Sequence, residues 1–368
     1  MTPKKILIIS LAAGAGHVKA ASAILKTAEE KFSSVIARHI DLKEYITYPF
    51  KKASMDAYEI MAKRTPKFWG FLYEMTDSAK TTKRFNILTK HLKQINSLKF
   101  YQEIKDFAPD YIICTHFLPA ELILNSPKGY ANSTPVSVVL TDYDLHNFWL
   151  IQGLSHYFVA TEKMKWKIVE RKKQTLENIT VSGIPIDPVF YQEKPTAELR
   201  EKYKIPMDKP VVLVLSGGQG LVRSDKLVKE LFSIESDFEI IAIAGKNTQQ
   251  KSKLEKLSPP KNIALKIIGW TDTMDEYMKL SDLIITKPGG LTITECIASK
   301  KPIIAFDPIP GQEEVNAKYL LENNFGKVAS SYEDAKYYFD YYLKNKNDFS
   351  KPVFQKTAAE IILEQIIK

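Results

Sequence analysis

Three short stretches hold side chains able to move protons or bind polar groups, and each directly follows a β-rich apolar run. The first is Gly14-Ala15-Gly16-His17, between the run 5–10 and a helix expected over 18–31. Small residues let backbone come close to a ligand, and the free N–H groups of a helix start carry positive potential, so this turn can cradle an anion or a polar head. His17 stands at the strand's carboxyl end, where open α/β sheets bind their ligands, and an imidazole titrating near neutrality can act as a general base. A solvated histidine in a tight turn explains the same residues. The second stretch, Thr141-Asp142-Tyr143-Asp144-Leu145-His146-Asn147-Phe148-Trp149, follows the run 136–140. Here Asp142 can orient a histidine or activate a hydroxyl, His146 can bind an anion, and Trp149 can cover an apolar or sugar surface. A capped loop whose aromatics fill a gap is the competing reading. The third, Thr115-His116, follows the run 111–114 and has the same topology.

The second half of the chain carries turns suited to phosphate. Leu215-Ser216-Gly217-Gly218-Gln219-Gly220 joins a strand to a helix, but the GxxxxGK[ST] pattern is missing, which argues against a P-loop ATPase or kinase. Lys287-Pro288-Gly289-Gly290-Leu291-Thr292-Ile293-Thr294-Glu295 is a second such turn. Glu295 can accept two hydrogen bonds from a ribose diol, while Thr292-x-x-Glu295 also reads as a capping box. Lys287 either adds a charge near a pyrophosphate or faces solvent. Gln312, Glu313 and Asn316 cluster at an expected helix start, where amide and carboxylate groups can read sugar hydroxyls or merely cap. Gly269-Trp270-Thr271-Asp272-Thr273-Met274 can receive a planar base, with Trp270 or Met274 packing beside it, or it can hold a core tryptophan.

Positioning these groups takes two sets of strands. Apolar runs at 5–10, 35–40, 111–114, 136–140, 157–160 and 179–181 alternate with helical lengths, and a second series follows at 211–216, 238–244, 264–268, 283–286 and 302–306. Strands separated by helices predict parallel α/β sheets, and 368 residues suit two domains. Gly183-Ile184-Pro185-Ile186-Asp187-Pro188 suits a fixed crossover, which places the domains at 1–186 and 187–368. A last helix is expected over 351–368.

With 45% hydrophobic, 26% charged and 11% aromatic residues, the composition is that of a globular protein and excludes a disordered or collagenous chain. Cys114 and Cys296 lack the paired spacing of a zinc or redox motif, so a reducing cytoplasm is the expected compartment. No stretch is apolar over about 18 residues, and the N-terminal run reads as a buried strand rather than a signal peptide, so any membrane contact is expected to be peripheral. The net charge of +9 favours an anionic partner. Residues 43–105 hold 13 Lys or Arg against 6 Asp or Glu, together with 11 aromatics, and read as an inserted helical segment between the second and third strands.

In their order along the chain, these motifs resemble the monogalactosyldiacylglycerol synthase and processive diacylglycerol glucosyltransferase family, glycosyltransferases of the GT-B fold. The resemblance is carried by Gly14-x-Gly16-His17 with Ala20, Ala21 and Ser22 behind it, by Thr141-Asp142…His146…Trp149, and by Pro310-Gly311-Gln312-Glu313…Asn316-Ala317. Gly217-Gly218-Gln219-Gly220 and Thr292…Glu295 also look like the N-acetylglucosaminyltransferase of the peptidoglycan lipid intermediate. Ala15, Val18 and Lys287 depart from the family pattern.

The resemblance implies two Rossmann-like domains facing an inter-domain cleft. The first would bind a diacylglycerol-type acceptor and the second a UDP-sugar, with His17 as base in an inverting displacement and Asp142 or His146 orienting it or helping to bind lipid. Donor contacts are expected from Gly217, Gly218, Gln219, Gly220, Trp270, Thr271, Met274, Pro288, Gly289, Gly290, Thr292, Glu295, Gln312, Glu313 and Asn316. Acceptor or membrane contacts are expected from Gly14, Gly16, His146, Trp149, Lys63, Arg64, Lys67, Phe68, Trp69 and Phe71, at an anionic surface on the cytoplasmic face of the cell membrane. No essential cofactor or metal is expected. Glucose is the preferred hexose. The competing functions are an N-acetylglucosaminyl transferase acting on a polyprenyl-linked acceptor, a sugar-nucleotide epimerase, and a basic nucleic-acid-binding protein, although no nucleic-acid module is recognisable and nucleic acid is not an expected partner.

Overall fold

A computed structural model describes residues 2–12, 14–45, 97–126, 134–172, 175–216 and 223–368. The basic aromatic candidates Lys63, Arg64, Lys67, Phe68, Trp69 and Phe71, and the glycine-rich Gly217, Gly218, Gln219 and Gly220, lie outside the described residues.

The chain divides into two compact units, one of Met1–Pro188 with Pro310–Gln312 and Phe354–Lys368, the other of Val189–Ile309 with Glu313–Val353. In the first, the strands β1 (Lys4–Ser10), β2 (Val35–Asp41), β3 (Tyr111–Cys114), β4 (Val136–Val139), β5 (His156–Val159) and β6 (Ile179–Val181) form one sheet in the order β2-β1-β3-β4-β5-β6. All its pairings are parallel. The central strands are buried on both faces, as parallel sheets require, which is why they read as continuous apolar runs rather than alternating ones. The second unit repeats the plan with β7 (Val211–Leu215), β8 (Phe238–Ile243), β9 (Ile263–Ile268), β10 (Leu283–Thr286), β11 (Ile303–Phe306) and β12 (Gly326–Ala329), in the order β12-β11-β10-β7-β8-β9.

Strand β12 is the one that the apolar pattern does not announce. Its sequence, Gly-Lys-Val-Ala, is too short and mixed, but a Cβ built on Gly326 would lie 1.9 Å from the Ile303 carbonyl oxygen. Only glycine lets β12 close against β11 at this point.

Two helix boundaries differ from the expected ones. The first helix is Ala15–Lys31, so Gly16 and His17 belong to its opening turn rather than to the loop before it. The last is Ala358–Ile367, not 351–368, because Pro352 disfavours helix just before it and a capping box between Thr357 and Glu360 fixes the start. Its apolar face, Ala359, Ile362, Leu363 and Ile366, packs with Ile24 and Ala28 of the first helix and Ile6 and Ile8 of β1. The Lys31–Glu360 ion pair at 2.8 Å lies at the edge of that contact. Among the described residues no helix is long and apolar enough to cross a membrane.

Candidate active site

Parallel order puts the carboxyl ends of all six strands of a sheet on one side, and the neighbours of β1 are β2 and β3, so the chain reverses its direction of growth between β1 and β3. Such a switch point opens a crevice between successive turns. The register aligns Ile9 with Cys114 and Cys114 with Val138, so the residues that follow β1, β3 and β4 meet at one level.

His17 sits there in the third position of its helix. Its Nδ1 lies 2.7 Å from the carbonyl oxygen of Thr115 and 3.1 Å from the hydroxyl oxygen of Thr141. A carbonyl only accepts, so Nδ1 carries the hydrogen and Nε2 is left with its lone pair in the neutral ring. The Thr115 hydroxyl returns a bond to the His17 carbonyl at 2.8 Å, which ties the helix start to the end of β3 from both sides. Burial lowers the His17 pKa below its ordinary value, opposed by the negative charge of Asp142 and by the bond to Thr115. The balance keeps the ring neutral at pH 7 while leaving a carboxylate near enough to stabilise a proton once it arrives.

Two further histidines of these turns hold their hydrogens on the other nitrogen. His116 caps the helix Phe117–Leu124, its Nδ1 accepting from the Leu118 N–H at 3.0 Å, and His146 caps a short turn by accepting from the Phe148 N–H at 3.2 Å. Their hydrogens are therefore on Nε2. Burial, and the charge of His17, hold the His116 pKa well below the usual imidazole value. The His116 ring meets His17 edge-on at 4.7 Å and stacks on Phe117 at 4.3 Å. Trp149, only 7% exposed, packs near both histidines. It fills a gap, as the second reading of its loop has it, instead of lying open as a platform. Asp142 accepts from Gln312 Nε2 at 2.6 Å, and both residues fall in the first unit.

The second sheet has its switch point between β7 and β10, and the turn that closes β10 is described in full. Helix Gly290–Ala298 starts with Gly289 as its cap and no side chain bonded there. Thr292 is thus the third helical residue, and the capping box read from Thr292 and Glu295 is not formed. The structure leaves the first N–H groups of this helix for another acceptor. Among the described residues nothing comes within 4 Å of a Cβ added at Gly289. Glu295 is 4% exposed and Asn316 is fully buried, and each has an interaction partner.

Lys287 does not face solvent. It is buried, and its Nζ donates to the Asp307 carbonyl at 2.6 Å. Glu313, at the start of the helix Gln312–Glu322, accepts from the Ile309 N–H at 2.8 Å. Trp270, after β9, is 55% exposed and no core residue; its Nε1 donates to Asp272 at 3.1 Å, and Lys246 lies 4.4 Å over its ring. Thr271 bonds to Thr273 just before the helix Met274–Leu280, at whose start Met274 is partly exposed. Among the described residues no group of three or more His, Cys, Asp or Glu is placed to hold a metal ion.

The groups that sequence reading underrates are backbone ones. The Thr115 carbonyl that sets the His17 tautomer leaves no trace in residue types, although the likeness of the turns after β1 and β3 points to the place.

Comparison with known proteins adds independent support. The family model for monogalactosyldiacylglycerol (MGDG) synthase matches residues 17–186, and that for the glycosyltransferase family 28 C-terminal domain matches 211–360. A processive diacylglycerol beta-glucosyltransferase of Bacillus subtilis (strain 168) is 27% identical, over 100% of this chain and 96% of the relative. Among solved structures, Acinetobacter baumannii MurG aligns with a TM-score of 0.62 at 15% identity, over 99% of each chain. An S. aureus MnaA–UDP co-structure aligns at 0.63 and 15%, over 99% of this chain and 96% of the other. With its two parallel sheets and these matches end to end, the chain is a glycosyltransferase of the GT-B fold that carries a monogalactosyldiacylglycerol synthase domain followed by a glycosyltransferase family 28 C-terminal domain, and it is similar along its whole length to the processive diacylglycerol glucosyltransferases.

Proposed function

We propose that the protein is an inverting glycosyltransferase that moves a hexose, glucose by preference, from a UDP-sugar to diacylglycerol or a glycosyldiacylglycerol at an anionic membrane surface on the cytoplasmic face of the cell membrane. The observation that carries the reading is the state of His17: Nδ1–H given to the Thr115 carbonyl, and Nε2 left as a base in a neutral ring. In the proposed step the acceptor hydroxyl gives its proton to Nε2 as its oxygen bonds to the anomeric carbon. The bond from that carbon to the diphosphate breaks, UDP leaves with the electron pair, and the configuration inverts. Asp142 favours the imidazolium that forms.

The unit holding β7 to β12 is the proposed donor site. The amides of the helix start from Gly290 on, with Pro288 and the Gly289 backbone leading into them, are proposed to face the leaving diphosphate, together with the turn at 217–220. Trp270, Thr271 and Met274 take the uracil, Glu295 the ribose, and Gln312 and Glu313 the sugar, with Asn316 behind them. Gly14 and Gly16 leave room for the acceptor at His17. The basic aromatic residues Lys63, Arg64, Lys67, Phe68, Trp69 and Phe71 are proposed to meet lipid headgroups, where each cation adds about 1 kcal/mol.

The test is direct. Purified protein with vesicles of anionic lipid and diacylglycerol is given UDP-glucose, UDP-galactose or UDP-N-acetylglucosamine, and lipid products are weighed by mass spectrometry. A hexosyl-diacylglycerol is expected with UDP-glucose. Transfer only to a polyprenyl-linked acceptor, or release of UDP with no sugar transferred, would sink the reading.

A further inference from the structure

Lys287 is buried at the carboxyl end of β10, yet it does not point along the open helix start that follows it. Its ammonium reaches across to the loop after β11. There it donates to the carbonyl of Asp307 at 2.6 Å and stands 3.7 Å from both the Asp307 and the Glu313 carboxylates. Asp307 holds φ at +48°, a left-handed conformation that costs free energy for any residue but glycine unless its surroundings enforce it. The Lys287 bond to its carbonyl is such an enforcement. Four residues on from Ile309, Glu313 closes the same loop by accepting the Ile309 N–H on Oε2, the oxygen that also faces Lys287. Its side chain keeps 18% exposure, and among the described residues Oε1 has no hydrogen-bond partner. One carboxylate oxygen is thus committed to the loop and the other is spare. A carboxylate oxygen fixed in direction is suited to a sugar hydroxyl, and its angle decides whether an axial or an equatorial one is met.

We propose that Lys287 is a positioning residue that clamps residues 307–313 so that Glu313 presents Oε1 to a hydroxyl of the donor's hexose, and that this clamp sets which hexose is accepted. The inference rests on the donor role proposed above for this unit. It separates Lys287 from the diphosphate: the lysine acts on the sugar end of the donor through Glu313.

The experiment measures the affinity of UDP, UDP-glucose and UDP-galactose by calorimetry, without acceptor, for the wild type and for Lys287→Met and Lys287→Arg. Lys287→Met is expected to bind UDP within twofold of the wild type, to bind UDP-glucose about tenfold more weakly, and to lose most of its preference between the two hexoses. Lys287→Arg, which keeps a donor and a charge but not the single-point reach, should recover part of the loss. Equal weakening of UDP and UDP-glucose would place the ammonium on the diphosphate and overturn the clamp, as would unchanged UDP-glucose affinity and preference. Should Lys287→Met fail to fold, Lys287→Arg decides alone, because wild-type donor preference in that variant would overturn the inference. A wild type that binds UDP but no UDP-hexose better would remove the sugar contact itself, whereas a wild type that binds none of the three would remove the donor reading beneath it.

Discussion

Gly14 and Gly289 both cap helices that follow a strand beside the switch point of its sheet, yet their backbones differ: φ is +129° at Gly14 and −67° at Gly289. Among the described residues neither has an atom within 4 Å of an added Cβ. At Gly14 glycine is needed for conformation, since no other residue adopts that region without strain. At Gly289 the backbone suits any residue, so glycine gains nothing for the free chain and leaves only access. The side chains diverge in the same way. The first turn presents His17 with one nitrogen committed and one open. The second presents bare amides and turns its one cation away toward Asp307. On the function proposed above, one βα turn holds the proton acceptor and the other is approached by a group that brings its own charge.

Removing the proton acceptor should have the largest effect. His17→Ala is expected to lower hexosyl transfer by about 10²–10⁴-fold, the range general bases supply, while UDP binding by calorimetry stays as it was. Undiminished turnover would mean that the first turn is only structural and the contrast between the two turns is void.

The glycines sharpen the contrast next. Gly289→Ala should leave the thermal midpoint unchanged and weaken UDP-sugar binding about tenfold, because the methyl occupies space that only a ligand uses. Gly14→Ala should instead destabilise the fold by about 1–3 kcal/mol in urea melts. Reversal of the two outcomes would refute the division between conformation and access.

Acidity tests the first turn from another side. Since burial lowers the His17 pKa, the ring stays neutral somewhat below its ordinary value of 6.5. The proposed base needs the neutral form, so kcat/KM should be flat around neutrality and fall only below pH 6.5. Asp142 raises that pKa, so Asp142→Asn should move the acid limb to still lower pH while lowering the rate. A limb that stayed put or moved upward would detach Asp142 from His17. Stability follows the same sign. His116 and His156 are both held neutral by burial, His156 down to about 4. The unfolded chain therefore binds more protons than the folded one as pH falls from 6.5 toward 4, and stability is lost across that window.

Much of this arrangement is written in the sequence, for reasons that differ from place to place. Strands buried on both faces read as unbroken apolar runs, which is why β3 and β10 are legible to the residue. Strand β12 escapes because its place is earned by the missing Cβ of Gly326, not by hydrophobicity. Of the site, His17 is visible as a residue type in a telling position. Its tautomer is not, because that depends on a carbonyl brought to it from 98 residues away by the β1–β3 register. Lys287 is visible as a charge, but its burial is not, since its direction is set by a loop twenty residues on. Residue types disclose what chemistry is present; register and loop closure decide which atom performs it.

The smallest expected effect separates those two layers at a single residue. Thr115 touches His17 twice, accepting from Nδ1 through its backbone carbonyl and donating to the His17 carbonyl through its hydroxyl. Thr115→Val removes only the second bond and keeps the β-branched shape. It should cost about 1 kcal/mol of stability, the usual net worth of one buried hydrogen bond. The acid limb of kcat/KM should stay where it is, because the carbonyl that fixes the tautomer is backbone and survives the change. A limb displaced in Thr115→Val would show that the hydroxyl, and with it the identity of residue 115, takes part in setting the state of the base.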